Sequence, residues 1–395
     1  MNIVDSLINQ AIEKGSKFAS FSIILPDGTI KKAGQEKDEF VIRIKNKEVY
    51  SEIIRKGQLG LGEQYMLGNL DIEGDLYKAL CMSAQLSVRD FDPTFLQRTS
   101  DRVTKLFLKN DRHNSLKNIV YHYDLGNDFY QEWLDKTLTY SCGYFKTKND
   151  TIDQAEEQKL EHICRKLNLK AGETLVDIGC GWGSMLIYAA KKYKVKGYGV
   201  TLSKPQIEFA KQRAKEEGVE DLVTFEFKDY RDVQGKFDKF VSIGMFEHVG
   251  REFYDLFFKK IKEILVPQGL GLLHTISVDR PWNVDPWVFT YIFPGGYLPT
   301  PTMFITAATQ NYFIPLDLEN LRPHYNLTLL RWRENYLKVF DKTAKERGMA
   351  FARMWDLYLT ISAANFKYGE LRLYQLLFSN GINNTLDLTR DHIYK

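Results

Sequence analysis

The pattern of apolar and polar positions changes along this chain close to residue 118. Beyond that point, short apolar runs alternate with stretches of helical periodicity. This alternation is typical of an α/β protein with a doubly wound, mostly parallel sheet, whose ligand lies at the carboxyl ends of the strands. The pattern predicts strands at 174–177, 195–201, 222–227, 237–243 and 270–276, and helices at 184–192, 204–217 and 252–265.

The residues before this region predict a small α+β domain. Five apolar residues share one helical face within 3–12, and this face packs either on the core of the domain or against a membrane or partner. Alternating runs at 18–25 and 39–44 predict strands around a turn at 26–28. A glycine-punctuated stretch at 58–80 ends in a predicted helix.

The length of 395 residues favours two domains. We place a lipid- or membrane-associated α+β domain at 1–98, a basic linker at 99–117 and a catalytic domain at 118–395. From residue 279 the alternation gives way to proline, glycine and aromatic residues. A long break between sheet elements favours a substrate lid, which we place around 279–368.

Composition restricts the class of protein. The chain is 44% hydrophobic and 27% charged, as globular domains are. A formal net charge of +3 carries no footprint of nucleic-acid binding, so we expect no nucleic-acid partner. The four cysteines form no C-x-x-C pair. They therefore support neither a zinc-type metal site nor a disulfide framework, and they favour a reducing, cytoplasmic setting.

A basic segment occupies 98–117, with six basic and two acidic residues around an apolar triplet at 106–108. Such a segment is either a solvated linker or a surface that anionic lipids attract. The first fifteen residues lack the layout of a signal peptide, and no apolar stretch is long enough to span a bilayer. We therefore expect a protein that is peripheral on the inner face of the membrane.

Asp177 is expected to end a strand that leads into the sequence D-x-G-x-G-x-G at 177–183 and then into a helix. Glycines allow positive φ angles and let a ligand approach the main chain closely. A dinucleotide fingerprint reads G-x-G-x-x-G instead, and a carboxylate before the glycines would repel a pyrophosphate. The carboxylate suits a ligand with ammonium and sulfonium groups. The loop resembles the nucleotide loop of class I S-adenosylmethionine (SAM) methyltransferases.

Further motifs resemble one family closely. With the glycine loop, they are similar to those of cyclopropane-fatty-acyl-phospholipid synthases, in the mycolic acid cyclopropane synthase-like family, from about Tyr121 to the C-terminus. The resemblance implies a Rossmann-like class I SAM methyltransferase fold with a seven-stranded sheet and a small N-terminal α+β domain. The motifs lie at 121–130, 140–145, 177–184, 199–206, 229–231, 245–250 and 291–296.

The resemblance also implies which residues bind SAM. Most methyltransferases of this class hold the ribose with an acid at the end of the second strand. Here Thr201 and Ser203 occupy that region, so hydroxyl groups and the amide of Gln206 must replace the acid; helix capping is the alternative role of the two hydroxyls. The implied cofactor-binding residues are Tyr140, Ser141, Asp177, Gly179, Gly181, Thr201, Leu202, Ser203, Gln206, Asp229 and Tyr230.

The implied reaction transfers a methylene group from SAM to the cis double bond of an unsaturated acyl chain in a phospholipid, forming a cyclopropane ring. The methylated intermediate is a carbocation that must lose a proton to a base within hydrogen-bond reach. Family members hold a bicarbonate ion as that base. Some relatives have cysteine at the position of Ser362, so a thiol nucleophile is not required there. The positions that match the bicarbonate site are Cys142, Glu247, His274, Tyr325 and the backbone of Ile276.

Two other functions are compatible with the sequence. A C-methyltransferase of the same fold would quench the carbocation differently and give a branched or hydroxylated chain. A catalytically silent lipid-binding protein would use SAM structurally, although the intact bicarbonate-site residues argue against it. The lipid head group, the double-bond position and the oligomeric state are left open, with a homodimer among the alternatives.

We predict that charge reversal at Arg102, Lys105 and Lys109 weakens binding to anionic vesicles. Surface charge attraction is screened over about 8 Å at physiological ionic strength, so binding of the wild-type chain should also fall as salt is raised. Vesicle flotation at low and high salt measures both effects. Unchanged binding of the reversed variant would move the membrane contact to the N-terminal helix.

Overall fold

The computed structural model describes residues 3–89, 125–281 and 284–394. The basic segment and the start of the motif at 121–130 therefore lie outside the described residues. Packing divides the chain into two compact units. The first unit comprises the described residues within Met1–Phe107, Asn283–Pro294 and Leu329–Glu370. The second comprises those within Leu108–Trp282, Gly295–Thr328 and Leu371–Lys395.

Helices and strands are numbered in chain order over the described residues. The N-terminal elements are α1 Ile3–Gly15, β1 Phe21–Ile24, β2 Ile30–Ala33, β3 Phe40–Ile44, α2 Glu48–Lys56, α3 Gln58–Met66, β4 Leu70–Gly74 and α4 Leu76–Arg89. The central elements are α5 Asn127–Gln131, α6 Ile152–Lys166, β5 Thr174–Ile178, α7 Ser184–Tyr193, β6 Lys196–Thr201, α8 Lys204–Glu216, β7 Val223–Phe227, β8 Phe237–Ile243, α9 Tyr254–Ile264 and β9 Leu265–Val278. The last elements are α10 Pro286–Tyr291, α11 Pro301–Gln310, β10 Phe313–Asn320, α12 Arg322–Arg347, α13 Met349–Tyr368, β11 Leu371–Asn380 and α14 Asp391–Tyr394.

The first unit contains a four-stranded sheet in the order β2-β1-β3-β4. The turn at 26–28 joins β1 to its antiparallel neighbour β2, whereas β3 pairs with β1 in parallel. Strands form within both predicted runs, 18–25 and 39–44, but the turn at 26–28 leads into β2 and not into the second of them. Two strands were not predicted from the sequence. The Ile-Lys-Lys-Ala sequence of β2 is largely polar and exposed, and the five residues of β4 include two acids and a glycine.

Helix α1 forms as predicted and packs against β2 and α4, which agrees with a face turned to the core. Two helices of the predicted lid region, α10 and α13, also pack within the first unit. Helix α10 packs against α3, and α13 packs against α3 and α4. Arg353 of α13 donates to the carbonyl oxygen of Tyr65 at 2.7 Å, and its guanidinium lies 4.1 Å from the Tyr65 ring centroid. The lid function and the domain boundaries stay predictions.

The second unit is built on a seven-stranded sheet in the order β10-β11-β9-β8-β5-β6-β7. The five neighbouring strands β9, β8, β5, β6 and β7 pair in parallel. Strand β11 is antiparallel to both β9 and β10. This confirms the predicted doubly wound, mostly parallel α/β sheet. One face packs on α6, α7 and α8, and the other packs on α9 and α11. Among the described residues, no helix has the length and apolar character to cross a membrane.

The two strands at one edge of this sheet were not located individually from the sequence. Strand β10 contains Pro315, where its register with β11 shifts, and it exposes Ile314 and Leu318. Strand β11 follows the 20-residue helix α13 almost directly, and its mostly apolar run lacks clear alternation. Neither segment therefore shows the simple period of two that identifies a strand.

We predict that Gly62→Ala destabilises the first unit. A Cβ at Gly62 of α3 would lie 2.6 Å from Cγ of Trp287, a side chain only 2% exposed on α10. Replacing glycine by alanine inside a helix otherwise stabilises the helix by about 1 kcal/mol. A net decrease of about 1–3 kcal/mol in the free energy of unfolding would therefore come from this overlap.

The thermal unfolding midpoint measures the effect. Leu61→Ala, at an exposed position of the same helix, is the matched control and should change the midpoint little. An unchanged or raised midpoint for Gly62→Ala would contradict the packing of α10 on α3.

Candidate active site

A cavity of about 110 Å³ lies at the carboxyl ends of β5, β6 and β8. Strand β5 pairs in parallel with β6 on one side and with β8 on the other. The order in which the strands are added across the sheet therefore changes direction at β5. Doubly wound sheets bind their ligands at such a point. The predicted cofactor residues that line the cavity are Tyr140, Ser141, Asp177, Gly179, Gly181, Thr201 and Gln206.

The three glycines after β5 serve two different purposes. All have positive φ angles, of 87°, 53° and 82° at Gly179, Gly181 and Gly183. A Cβ at Gly179 would lie 2.6 Å from Cβ of Met245, and one at Gly183 would lie 2.7 Å from Cζ of Phe225. A Cβ at Gly181 would meet no atom within 4 Å. The first and third glycines therefore allow close packing, and the second leaves the main chain open to a ligand.

Asp177 supplies a buried carboxylate at the edge of this cavity. Its side chain lies one residue before the end of β5 and is 2% exposed. Its Oδ1 atom has no hydrogen-bond partner among the described residues, and burial raises the pKa of the carboxyl group to about 7. A cationic ligand would favour the ionised form. The residue therefore fits the ammonium and sulfonium groups of SAM.

Hydrogen bonds hold the loop at 137–141 against the glycine turn. The carbonyl oxygen of Thr137 accepts from Nη1 of Arg213 at 2.6 Å and from the hydroxyl of Ser184 at 2.5 Å. At the other end of the loop, Nζ of the fully buried Lys159 donates to Oγ of Ser141 at 2.8 Å. The position of Ser141 in the cavity wall is therefore fixed by a side chain of α6.

An aromatic cluster supports the same wall. The ring centroid of Tyr140 lies 5.4 Å from that of Tyr130 and 5.7 Å from that of Trp133. Trp182 lies 5.3 Å from Tyr130, and its Nε1 donates to Oδ1 of Asn127 at 2.9 Å. Faces of such rings stabilise cationic charge without reacting with it.

The end of β6 carries polar groups in place of the usual acid. The hydroxyl of Thr201 donates to Oε1 of Gln206 at 3.0 Å, which leaves the amide nitrogen of Gln206 as a donor beside the cavity. Ser203 occupies the N-cap position of α8, but its side chain makes no capping hydrogen bond. Neither hydroxyl therefore acts as a helix cap in this structure.

Four predicted cofactor residues do not line the cavity: Leu202, Ser203, Asp229 and Tyr230. Asp229 caps a short 3₁₀ helix at 230–232, and its two carboxylate oxygens accept from Nε and Nη2 of Arg231 at 2.8 and 2.5 Å. The assignment of these four residues to SAM stays a prediction.

Several residues that line the cavity were given no role in SAM binding from the sequence, among them Thr139, Trp182, Met245 and His248. His248 is half-buried, and its removal from water lowers the pKa of its imidazole to about 4, which favours the neutral ring. Their positions in the sequence could have indicated three of them. Trp182 lies between two glycines of the loop, and Met245 and His248 follow β8 within the motif at 245–250.

Glu247 and Ile276, two members of the predicted anion site, are in direct contact. The backbone N–H of Ile276 in β9 donates to Oε1 of Glu247 at 2.6 Å. The other oxygen, Oε2, has no hydrogen-bond partner among the described residues. Burial raises the pKa of Glu247 to about 7, although the Ile276 hydrogen bond opposes the shift. This carboxyl group can therefore exchange a proton near neutral pH.

His274 lies two residues before Ile276 on the same strand and is 1% exposed. Its Nδ1 atom lies 3.2 Å from Nε2 of Gln375 in the neighbouring strand β11. Its Nε2 atom has no hydrogen-bond partner among the described residues. Burial, reinforced by Lys159 and Lys166, holds the pKa of this imidazole well below its usual range.

Cys142 is held beside α12, the helix that carries Tyr325, through the residue that follows it in the chain. The N–H of Gly143 donates to the hydroxyl of Thr328 at 3.0 Å, and Tyr325 lies one helical turn before Thr328. The thiol of Cys142 donates to the carbonyl oxygen of Gly143 at 3.2 Å, and burial raises its pKa well above the usual value. Cys142 is therefore a neutral thiol, not a nucleophile.

The buried ammonium of Lys159 is common to the cofactor wall and the predicted anion site. It donates to Ser141 and is paired with the fully buried carboxyl group of Glu156. Its charge acts on both Cys142 and His274, although Glu156 opposes it at Cys142. A small oxyanion needs N–H or O–H donors and a positive local field when it is removed from water. The imidazole, the phenol of Tyr325 and the nearby cation match this requirement.

Comparison with known proteins points to one family. Residues 110–376 match the family described as mycolic acid cyclopropane synthetase, and residues 7–90 match a domain of unknown function. The cyclopropane-fatty-acyl-phospholipid synthase of Escherichia coli K12 is 37% identical over 351 residues, which cover 88% of this chain and 90% of that protein. A probable fatty acid methyltransferase of Pseudomonas putida is 36% identical over 369 residues, or 90% and 92% of the two chains.

A solved structure supports the same relation. Mycolic acid cyclopropane synthase CmaA1, complexed with SAH and CTAB, aligns with a TM-score of 0.64 at 32% identity. The alignment covers 67% of this chain and 98% of that one. The family match at 110–376 includes every residue that lines the cavity.

We predict that SAM binds more tightly as pH rises through 7. Protonated Asp177 cannot attract a cation, whereas the ionised form can, so binding releases a proton. With a pKa of about 7, the affinity should rise about 10-fold between pH 6 and pH 8. Isothermal titration calorimetry at several pH values measures both the affinity and the proton release.

Two variants control this experiment. Asp177→Asn keeps the volume but should lose both the affinity and the pH dependence. Glu247→Gln removes another buried carboxyl of similar pKa and should keep the pH dependence of wild type. Wild-type affinity in a folded Asp177→Asn variant would contradict the assignment of this cavity to SAM.

Proposed function

The chain belongs to the mycolic acid cyclopropane synthetase family and is a SAM-dependent methyltransferase, and from this premise we propose that it transfers a methylene group from SAM to the cis double bond of unsaturated acyl chains in membrane phospholipids. The product is a cyclopropane ring, formed through a carbocation that bound bicarbonate deprotonates. The observation that carries the proposal concerns two buried side chains, those of Glu247 and His274. Each has one polar atom without a hydrogen-bond partner among the described residues.

The cavity residues position the two reactants. Bound SAM supplies a methyl group on a sulfonium leaving group. A cis alkene is a poor nucleophile, so the reaction depends on holding the double bond in line with that methyl group. Asp177 attracts the cationic end of SAM, the fixed Ser141 hydroxyl orients it, and the rings of Tyr140 and Trp182 tolerate positive charge nearby.

The residues at the end of β8 and in β9 hold the base. The Ile276 N–H fixes one oxygen of Glu247, so the other oxygen can orient the ion or accept its proton. His274 supplies a neutral imidazole, and Tyr325 supplies a phenol. A proton on a methyl group beside a carbocation is very acidic, so a weak base suffices if it lies within hydrogen-bond reach.

The proposal extends to the place of reaction. An acyl chain within a phospholipid is reached at a membrane surface, so we place the enzyme on the inner face of the cytoplasmic membrane. The basic segment at 98–117 supports this placement through its attraction for anionic lipid. A homodimer is compatible with this arrangement.

A second candidate is methylation without ring closure, which would give a branched or hydroxylated chain. The observation that favours it is the 36% identity to a probable fatty acid methyltransferase. In that case the carbocation would add water and release a proton to give a hydroxylated chain, or a hydride would migrate and a proton would leave from another carbon to give an unsaturated methyl-branched chain. A positioned base next to the new methyl group would then have less effect on the product.

We predict that turnover depends on carbonate. In buffers freed of carbon dioxide, conversion of vesicles of unsaturated phospholipid by the wild-type chain should fall and should recover on addition of bicarbonate. Glu247→Gln and His274→Ala should slow product formation by about 10²- to 10⁴-fold, the range for loss of a positioned proton acceptor. SAM affinity should change little. Release of S-adenosylhomocysteine and mass spectrometry of the lipids measure both quantities.

Cys164→Ser offers a control, since this buried cysteine of α6 packs in the core and does not line the cavity. It should keep carbonate dependence and rate. Full activity of the wild-type chain without carbonate, together with full activity of both site variants, would exclude bicarbonate as the base.

A further inference from the structure

Gln375 lies directly beside His274 in the sheet. The two residues are opposite each other in the antiparallel pairing of β11 with β9, and Nε2 of the amide lies 3.2 Å from Nδ1 of the imidazole. Gln375 is fully buried and His274 is 1% exposed. A buried amide and imidazole at this distance form a hydrogen bond whose direction has chemical consequences.

The direction follows from the chemistry of the two groups. An amide nitrogen donates hydrogen bonds and cannot accept them. With the amide nitrogen facing the ring, and with Oε1 of Gln375 left without a partner among the described residues, Nδ1 of His274 accepts the hydrogen bond and carries no proton. A neutral imidazole has one ring proton, which must then be on Nε2. This is the ring atom without a partner among the described residues.

The surroundings keep the imidazole neutral. Burial removes the charged form from water, and the ammonium groups of Lys159 and Lys166 disfavour a second positive charge. Glu319 opposes these effects, and each lysine is itself paired, Lys166 with Glu319 at 2.6 Å and Lys159 with Glu156. Burial is therefore the main cause of the neutral ring. His274 is therefore poor at accepting a proton and well suited to donating a hydrogen bond.

We propose that Gln375 is a positioning residue that holds His274 as a fixed Nε2–H donor to the carbonate base. In this arrangement His274 binds and orients the ion, and the proton taken from the substrate does not pass to the imidazole. This inference rests on the proposed function. If the amide were turned, its oxygen would face Nδ1, the ring proton would move to that atom, and Nε2 would be a proton acceptor instead.

Nuclear magnetic resonance of the wild-type full-length chain tests the direction without any variant of Gln375. With ¹⁵N-labelled histidine, the chain gives signals from seven histidines, and the signal lost in His274→Gln identifies residue 274. We expect Nε2 to carry the proton from pH 6 to pH 8 and Nδ1 to remain unprotonated. A proton on Nδ1, or a doubly protonated ring, would overturn the inference.

Two substitutions test the consequence. Gln375→Met keeps the length of the side chain but removes the donor. It should raise the bicarbonate concentration for half-maximal rate by about 10-fold, as expected for loss of one hydrogen bond that orients a ligand, with SAM affinity unchanged. His274→Gln places a donor that cannot titrate near the position of Nε2, so it should retain more activity than His274→Ala.

Ser379→Ala is the matched control. Ser379 is fully buried on the same strand and donates to the carbonyl oxygen of Gly381 at 2.7 Å, so its loss weakens β11 without touching His274. It should leave the bicarbonate dependence unchanged. If Ser379→Ala and Gln375→Met raise the bicarbonate concentration for half-maximal rate equally, Gln375 acts only by stabilising β11.

The proposed function and this inference fail in different ways. If the wild-type chain is fully active without carbonate, bicarbonate is not the base and the proposed function is wrong. If the wild-type chain requires carbonate but Gln375→Met keeps the same bicarbonate dependence and His274→Gln is no better than His274→Ala, only the inference is wrong.

Discussion

The parallel pairing of β8 with β5 and of β8 with β9 is the constraint on which the candidate site depends. Because of this pairing, the carboxyl ends of the three strands point to the same end of the sheet. Ile243 pairs with His274, and the N–H of Gly244 donates to the carbonyl oxygen of His274 at 2.9 Å. The Glu247 carboxylate can therefore reach the N–H of Ile276. A slip of one residue in β9 would turn His274 to the other face of the sheet.

The site concentrates buried polar groups that a stable core would ordinarily avoid. Asp177, Glu247 and His274 each keep an atom without a partner among the described residues, and each such group costs about 1–3 kcal/mol. Burial raises the pKa of Glu156 to about 8 although Lys159 lies beside it. The apolar layers on both faces of the sheet offset these costs, and bound ligands would satisfy the groups. We interpret the site as organised for its ligands before they bind.

Sequence patterns predicted the central sheet well because its parallel strands are short apolar runs separated by helices of clear period. Strand β10 at one edge of the sheet and its neighbour β11 were not located, because a proline, exposed residues and a uniform apolar run remove the period of two. The glycine loop and Asp177 could be assigned from local chemistry. The contact of Arg213 with Thr137, the Lys159 hydrogen bond to Ser141 and the role of Gln375 join residues far apart in sequence, so no local pattern reports them.

The central claim is that the transferred carbon loses one hydrogen and closes a ring on the lipid. Mass spectrometry after reaction with SAM that carries a trideuterated methyl group tests it most directly. Cyclopropane formation predicts that unsaturated phospholipid gains one carbon with two deuterium atoms, and that the product resists catalytic hydrogenation. A product that retains all three deuterium atoms, or that takes up hydrogen, would contradict ring closure and favour methylation alone.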